Sequence, residues 1–199
     1  MRKVSKAFTK MLRKIGFELI PVILGILIAL LINDYRQNLK EEEQTDTLLE
    51  NLVGEFAKRR DDMEYIVQSR QQPLLDTIRS YLQNSELPAI ELFYKAGGFG
   101  FPEVYTISWE STLGSQDINT LDFELLVALS RISSGQKDVE VRSEAFYNFL
   151  YSPEMAISDR RVDRKNQLNI IISDFIESEK ELINRYNNFI SLTDSLQKR

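Results

Sequence analysis

The sequence predicts an all-α protein, with a single N-terminal transmembrane helix continuing into an elongated antiparallel helical bundle. Three observations predict it. Leu19 to Ile32 reads LIPVILGILIALLI, the only long apolar run in the chain. It divides a basic head from an acidic body. Beyond it, two long helical stripes open and close the body, with shorter helical pieces between them.

The apolar run is the first element. Counting Ile15, Gly16 and Phe17 across Glu18, it reaches 18 positions. At 1.5 Å per residue that spans about 27 Å, close to a hydrocarbon core of about 30 Å. The strictly uncharged part is 14 residues, a length that also suits a signal-peptide core or a buried helix. Residues 33–37 read NDYRQ, without a small-x-small cleavage site, so the run is expected to be retained. Phe17 and Tyr35 stand near its two ends, where aromatic rings favour the headgroup layer. These features divide the chain into a head (1–14), a transmembrane helix (15–34) and a helical body (35–199).

Charge sets the expected orientation. The head carries Arg2, Lys3, Lys6, Lys10, Arg13 and Lys14 and no acid. Residues 33–199 hold 19 Lys and Arg against 29 Asp and Glu. Bases flanking a span stay on the cytoplasmic side. The sequence therefore predicts an inner-membrane, single-pass protein with a cytoplasmic N-terminus and a periplasmic C-terminal domain. In the head, Val4, Phe8, Met11, Leu12 and Ile15 fall at helical spacing opposite the bases. This pattern fits a basic amphipathic helix on an anionic leaflet, or a short solvated segment.

Composition narrows the chemistry. The chain has no Cys and no His. Disulfides, Ser-His and Cys-His catalysis, and zinc sites built on His or Cys are excluded. No calcium-loop motif occurs, so neither metal nor cofactor is expected. The acidic body lacks a basic patch, which argues against a nucleic-acid partner. The expected partners are the lipid bilayer and a second copy or another membrane protein.

Within the span, Pro21 removes one backbone hydrogen bond. Gly25 and Ala29 form a small-xxx-small pair that lets two helices approach closely in a membrane. Glu18 is the one ionisable group inside the extended run. It is either an intramembrane carboxylate with a function or an interfacial acid paired with Lys14 one turn away.

Helix is expected to continue to about Arg70, on a stripe of Tyr35, Leu39, Leu49, Leu52, Val53, Phe56, Met63, Ile66 and Val67. The polar segment 40–46 suggests a solvated stalk. Gln71, Gln72 and Pro73 end or bend that helix. Pro73 starts a second one through Leu82, and Ile90 to Ala96 makes a third. Gly97-Gly98-Phe99-Gly100-Phe101-Pro102 reads as a turn with aromatic plugs, and Glu103 to Ile107 as a brief extended segment. Helices are then expected over Leu121–Ile132 and about Asp138–Tyr151. Ser152-Pro153-Glu154 is an N-terminal signature for a last long helix. There Leu168, Ile172, Phe175, Leu182, Tyr186, Phe189 and Leu196 follow a four-three rhythm, with Glu179 and Thr193 filling the two remaining seam places. The first and last long helices should pair antiparallel.

Two passages resemble an uncharacterised family of single-span membrane proteins from Bacteroidota, defined by a domain of unknown function. One is Gly16-Phe17-Glu18-Leu19-Ile20, Val22 to Leu30 and Ile32-Asn33-Asp34-Tyr35. The other is Trp109-Glu110-Ser111-Thr112-Leu113-Gly114-Ser115. The chain departs from that family at Phe17, where Gly is usual, and at Tyr35, where Trp is common. The resemblance covers about the first sixty residues and a middle patch. It implies the same topology, brings no activity with it, and points to Glu18 and Gly25.

Three functions fit these features. A non-enzymatic structural or scaffold subunit of a membrane complex accounts for the stalk, the heptads and the missing catalytic groups. A periplasmic sensor would use a distal pocket lined by Tyr94, Phe99, Phe101 and Trp109, with Tyr81 and Phe93 nearby. A stator-like subunit of an ion-driven complex would use Glu18. A hydrolase has no motif to support it, and no catalytic residue is assigned.

Overall fold

A computed structural model describes residues 2–83, 88–104, 121–152, 161–196 and 198, with side chains described from residue 24 in the first helix and from residue 163 in the last. The described residues are helical with connecting turns, and no strand occurs among them. The elements are α1 (Arg2–Ile66), a π-helical turn (Val67–Gln71), α2 (Gln72–Ser80), α3 (Ala89–Lys95), α4 (Phe123–Leu150) and α5 (Arg161–Leu196). The chain divides into two compact units, Met1–Asp46 and Thr47–Arg199.

In the first unit, α1 runs without interruption through the apolar segment. Leu24, Ile26, Leu27, Ile28, Leu30, Leu31 and Ile32 are all exposed. Among the described residues no helix is long and apolar enough to cross a membrane. Of the apolar run, Leu24 to Ile32 has described side chains and residues 15–23 do not. The all-α class therefore stands, without a membrane span among the described residues.

The second unit is a helical bundle whose core is set by the predicted stripes. On α1 burial begins at Leu49 and continues through Leu52, Phe56 and Met63 to Val67 on the π turn, while Tyr35 and Leu39 are exposed. On α5 every seam position from Leu168 to Thr193 is buried, the polar Glu179 and Thr193 included. Phe56 stacks on Tyr186 and meets Phe189 edge-on, Arg60 reaches Asn187, and Gln71 reaches Glu179. Rising numbers on one side meet falling numbers on the other, so α1 and the π turn run antiparallel to α5. Farther along, Arg79 of α2 reaches Asn169 and Ser173.

The structure corrects one expectation about the middle of the chain. The two helices foreseen over Leu121–Ile132 and Asp138–Tyr151 are one continuous helix, α4. Ser133, Ser134 and Gly135 look like a break in sequence, yet Gly135 is buried where α4 crosses α5. A Cβ there would lie 3.1 Å from Leu182 Cδ1 and 3.1 Å from Arg185 Nη1, so a larger residue would have to push these side chains aside for the helices to approach this closely. Packing outweighs the roughly 1 kcal/mol helix penalty of glycine. Phe146 meets Phe175 at the other end of the same crossing, which makes α4 and α5 antiparallel as well.

Pro73 accounts for the π turn. It has no N–H to donate, and its ring crowds the carbonyl one turn earlier. The backbone widens just ahead of it, with the Gln72 N–H bonding to Val67 O. After α3, Gly97 and Gly98 take φ of 87° and 79°. This left-handed pair reverses the chain, and the Gly98 N–H bonds back to Phe93 O at 3.0 Å.

Candidate functional site

The residues singled out in the sequence fall in three places. Glu18 lies on α1, and its side chain is outside the described residues, as is all of Trp109. Gly25 and Ala29 are exposed, and a Cβ on Gly25 would meet nothing within 4 Å. The Gly25 face is therefore uncovered among the described residues. Tyr94 is exposed and touches Phe93 edge-on.

Phe99 and Phe101 are half-buried and do the job of plugs. Phe99 lies 4.6 Å from Phe146 and 5.2 Å from Phe175, ring centre to ring centre, and 4.9 Å from Phe101. These distances are those of packed edge-to-face rings. The loop thus fills the space between α4 and α5 with aromatic side chains. Beside it a shallow groove of about 370 Å³ is lined by Pro102, Val104, Val139, Glu140, Ser143, Glu144, Tyr147 and Phe175. Phe101 stacks on Tyr147 at 4.3 Å at its edge.

The least expected chemistry is a buried carboxyl group. Glu179 is completely buried on α5. Its Oε1 accepts a hydrogen bond from Gln71 Nε2 at 2.8 Å, and the same nitrogen donates to Gly100 O at 2.8 Å. Gln71 is also completely buried, at the end of the π turn. A carbonyl oxygen only accepts, so Gly100 fixes which end of the Gln71 amide faces it. Glu179 Oε2 and Gln71 Oε1 receive no hydrogen bond from a donor among the described residues. Burial pushes the Glu179 carboxyl up to about 8, against the downward pull of the Gln71 hydrogen bond.

Gly100 belongs to the same arrangement. A Cβ on it would lie 2.9 Å from Ile66 Cγ2 and 3.4 Å from Arg70 Cγ, so the loop backbone presses directly on the end of α1. The site joins three chain segments: the π turn, the 97–104 loop and α5. It also lies where two apolar clusters meet. One holds Phe56, Met63, Leu182 and Tyr186, the other Val67, Leu74, Ile172 and Ile176.

A second buried polar group follows the same logic without an orphan. Gln136 on α4 donates to Val104 O and, at 3.3 Å, to Tyr186 Oη, which itself lies 3.3 Å from Val104 O. Burial pushes the Tyr186 phenol up to about 12, with Gln136 and the Arg59 charge pulling the other way. Lys165, also completely buried, donates to Tyr81 O at 3.0 Å. No group of three or more carboxylates able to hold a metal ion occurs among the described residues.

Periodicity placed Glu179 in the seam but gave no reason to single it out. The available signal was an acid at a heptad core position, where an apolar residue is the rule.

No family model, no curated protein and no solved structure matches the chain. The resemblance at residues 16–35 and 109–115 stands on those residues alone.

Proposed function

We propose that the chain is a non-enzymatic single-pass inner-membrane protein, a structural or scaffold subunit of a membrane complex, with its head in the cytoplasm and its helical bundle in the periplasm. One observation carries this reading. The large side chains of Leu24, Ile26, Leu27, Ile28, Leu30, Leu31 and Ile32 are each between 49% and 67% exposed on one unbroken helix. At about 100° per residue these seven positions cover about two thirds of the circumference, and the uncharged Gly25 and Ala29 fall in the remaining sector. A partner helix covers one face. An apolar surface on all sides calls for an apolar solvent or complete burial in an assembly. The six bases of residues 1–14 and the acidic body supply the direction. Gly25, with open space around it, is the place for a helix contact within the bilayer.

The test uses the absence of native cysteine. The full chain is expected in the membrane fraction and should resist alkaline carbonate. Ser195→Cys should react with an impermeant thiol reagent on spheroplasts, and Ser5→Cys only after lysis. Recovery in the soluble fraction, or labelling of Ser5→Cys from outside, rejects the anchor. A monomer in mild detergent with nothing co-purifying rejects the scaffold role.

The groove beside Tyr147 favours a second reading, a periplasmic module that binds a small ligand between α4 and the 97–104 loop. Its apolar floor and the carboxylate of Glu144 suit an amine with an apolar body, while Glu140 already pairs with Lys137. Thermal stabilisation by such amines, lost in Tyr147→Ala, supports it; no stabilisation by any of them removes it.

A further inference from the structure

The Gln71–Glu179 pair poses a problem of hydrogen-bond accounting. Two completely buried side chains are already joined through Gln71 Nε2 and Glu179 Oε1. Each then has one remaining oxygen, and neither meets a donor among the described residues. With Glu179 ionised, both oxygens are acceptors, and a buried negative charge rests on a single hydrogen bond. A proton on Oε2 turns that oxygen into a donor. The acceptor without a donor is Gln71 Oε1, on the amide that already holds the other carboxyl oxygen. Such an acid–amide pair can close an eight-membered ring with two hydrogen bonds, N–H to O and O–H to O, in which one proton would satisfy both orphans. The second hydrogen of Gln71 Nε2 stays on Gly100 O.

We infer that Glu179 is a proton-operated latch: as a neutral acid it ties α5 through Gln71 to the π turn and the 97–104 loop, and loss of its proton to solvent loosens that junction.

Among the described residues, the charges on the surrounding elements are paired with other groups or exposed, and Arg59 of α1 pairs with Glu103 of the loop. Arg70 on the π turn is exposed and lies along Gly97 and Gly100. On α2, Asp76 accepts from Gln72, and Arg79 donates to Asn169 and Ser173. Lys95 of α3 lies over the Tyr81 ring while Glu91 is exposed, and Arg142 of α4 pairs with Asp138. On α5 itself, Glu181 pairs with Arg185. Among the described residues no charged group contributes to holding the Glu179 proton; burial does, against the Gln71 hydrogen bond.

The sign follows from linkage. The folded-state value lies above the ordinary one of 4.5, at about 8. Between those limits the native state holds a proton that the unfolded state has released. Stability is therefore complete below the lower limit and falls as pH rises to the upper one. The weakness appears first at the π turn and the 97–104 loop, the segments joined to Glu179 through Gln71.

The experiment is unfolding by urea, with hydrogen exchange, of the full chain in mild detergent between pH 4 and pH 9. The unfolding constant is expected to rise by up to tenfold per pH unit over the window from about 4.5 to about 8. Protection of residues 67–75 and 97–104, corrected for intrinsic exchange, should fall first over the same window, and that of 125–139 on α4 should fall no further than the global unfolding constant requires. Glu179→Gln keeps a donor and an acceptor without an ionisable group, and should flatten both profiles. A wild-type profile without the slope, or a Glu179→Gln profile that retains it, overturns the latch. Should that variant not fold, the infrared spectrum of the wild type decides. A protonated-carboxyl C=O band is expected at pH 7 that fades above about 8, and its absence at pH 7 overturns the inference.

Discussion

Phe56→Ala tests whether the second half of α1 is a working part of the bundle core or only a tether that lies against it. Phe56 is completely buried, and its ring centre lies 5.2 Å from that of Tyr186, stacked, and 5.1 Å from that of Phe189, edge-on. Truncating such a phenylalanine costs about 3–5 kcal/mol, from lost transfer energy and the cavity left behind. Each ring pair accounts for roughly 0.5–1.5 kcal/mol of coupling beyond area. Tyr65 on the same helix is 67% exposed and provides the control, since Tyr65→Ala should stay within about 0.5 kcal/mol of wild type. The assay is urea unfolding of the full chain, followed by far-ultraviolet circular dichroism. With a slope of about 1–3 kcal/mol/M, Phe56→Ala moves the midpoint down by at least about 1 M. A double-mutant cycle with Phe189→Leu should return the coupling of one ring pair. A Phe56→Ala midpoint no lower than that of Tyr65→Ala refutes the reasoning: the body would then be held by α4 and α5, with α1 merely resting on them.

Two further substitutions probe the close approaches. Gly135→Leu should destabilise by about 1–3 kcal/mol or more, because Leu182 and Arg185 already stand 3.1 Å from the first added carbon. Gly135→Ala gains about 1 kcal/mol of helix propensity against that squeeze, and its melting temperature should stay near wild type. Gly100→Ala drives a methyl to 2.9 Å from Ile66 Cγ2, which sits on a branched carbon and cannot swing aside. The expected loss is about 1–3 kcal/mol by thermal melting, and the pH dependence assigned to Glu179 should flatten as Gly100 O draws away from Gln71.

The α5 seam shows what sequence periodicity could reveal and where it stopped. The four-three rhythm placed Glu179 and Thr193 among buried side chains, and both are buried. The two polar residues differ in where their partners lie. Thr193 Oγ1 donates to Phe189 O at 3.0 Å, one turn back on its own helix, so it brings its solution with it. Glu179 depends on Gln71, 108 residues away in sequence, and on a π turn that the stripe Met63, Val67, Gln71 and Leu74 does not betray, since those spacings fit an ordinary helix. Only Pro73 marked the place. The same limit applies to α4, where Ser133-Ser134-Gly135 carries the local signature of a break and the close contact with Leu182 keeps the helix whole. Local chemistry ranks the options for each segment, and a contact from a distant segment chooses among them. An apolar residue at 179 would fill the seam as well as glutamate does, and buried polar pairs are commonly no more stabilising than the apolar residues that could replace them. It would also leave Gln71 Nε2 with Gly100 O alone and α5 without a polar tie to the turn ahead of Pro73. What glutamate adds at this position, then, is a junction whose hold on the π turn depends on one proton.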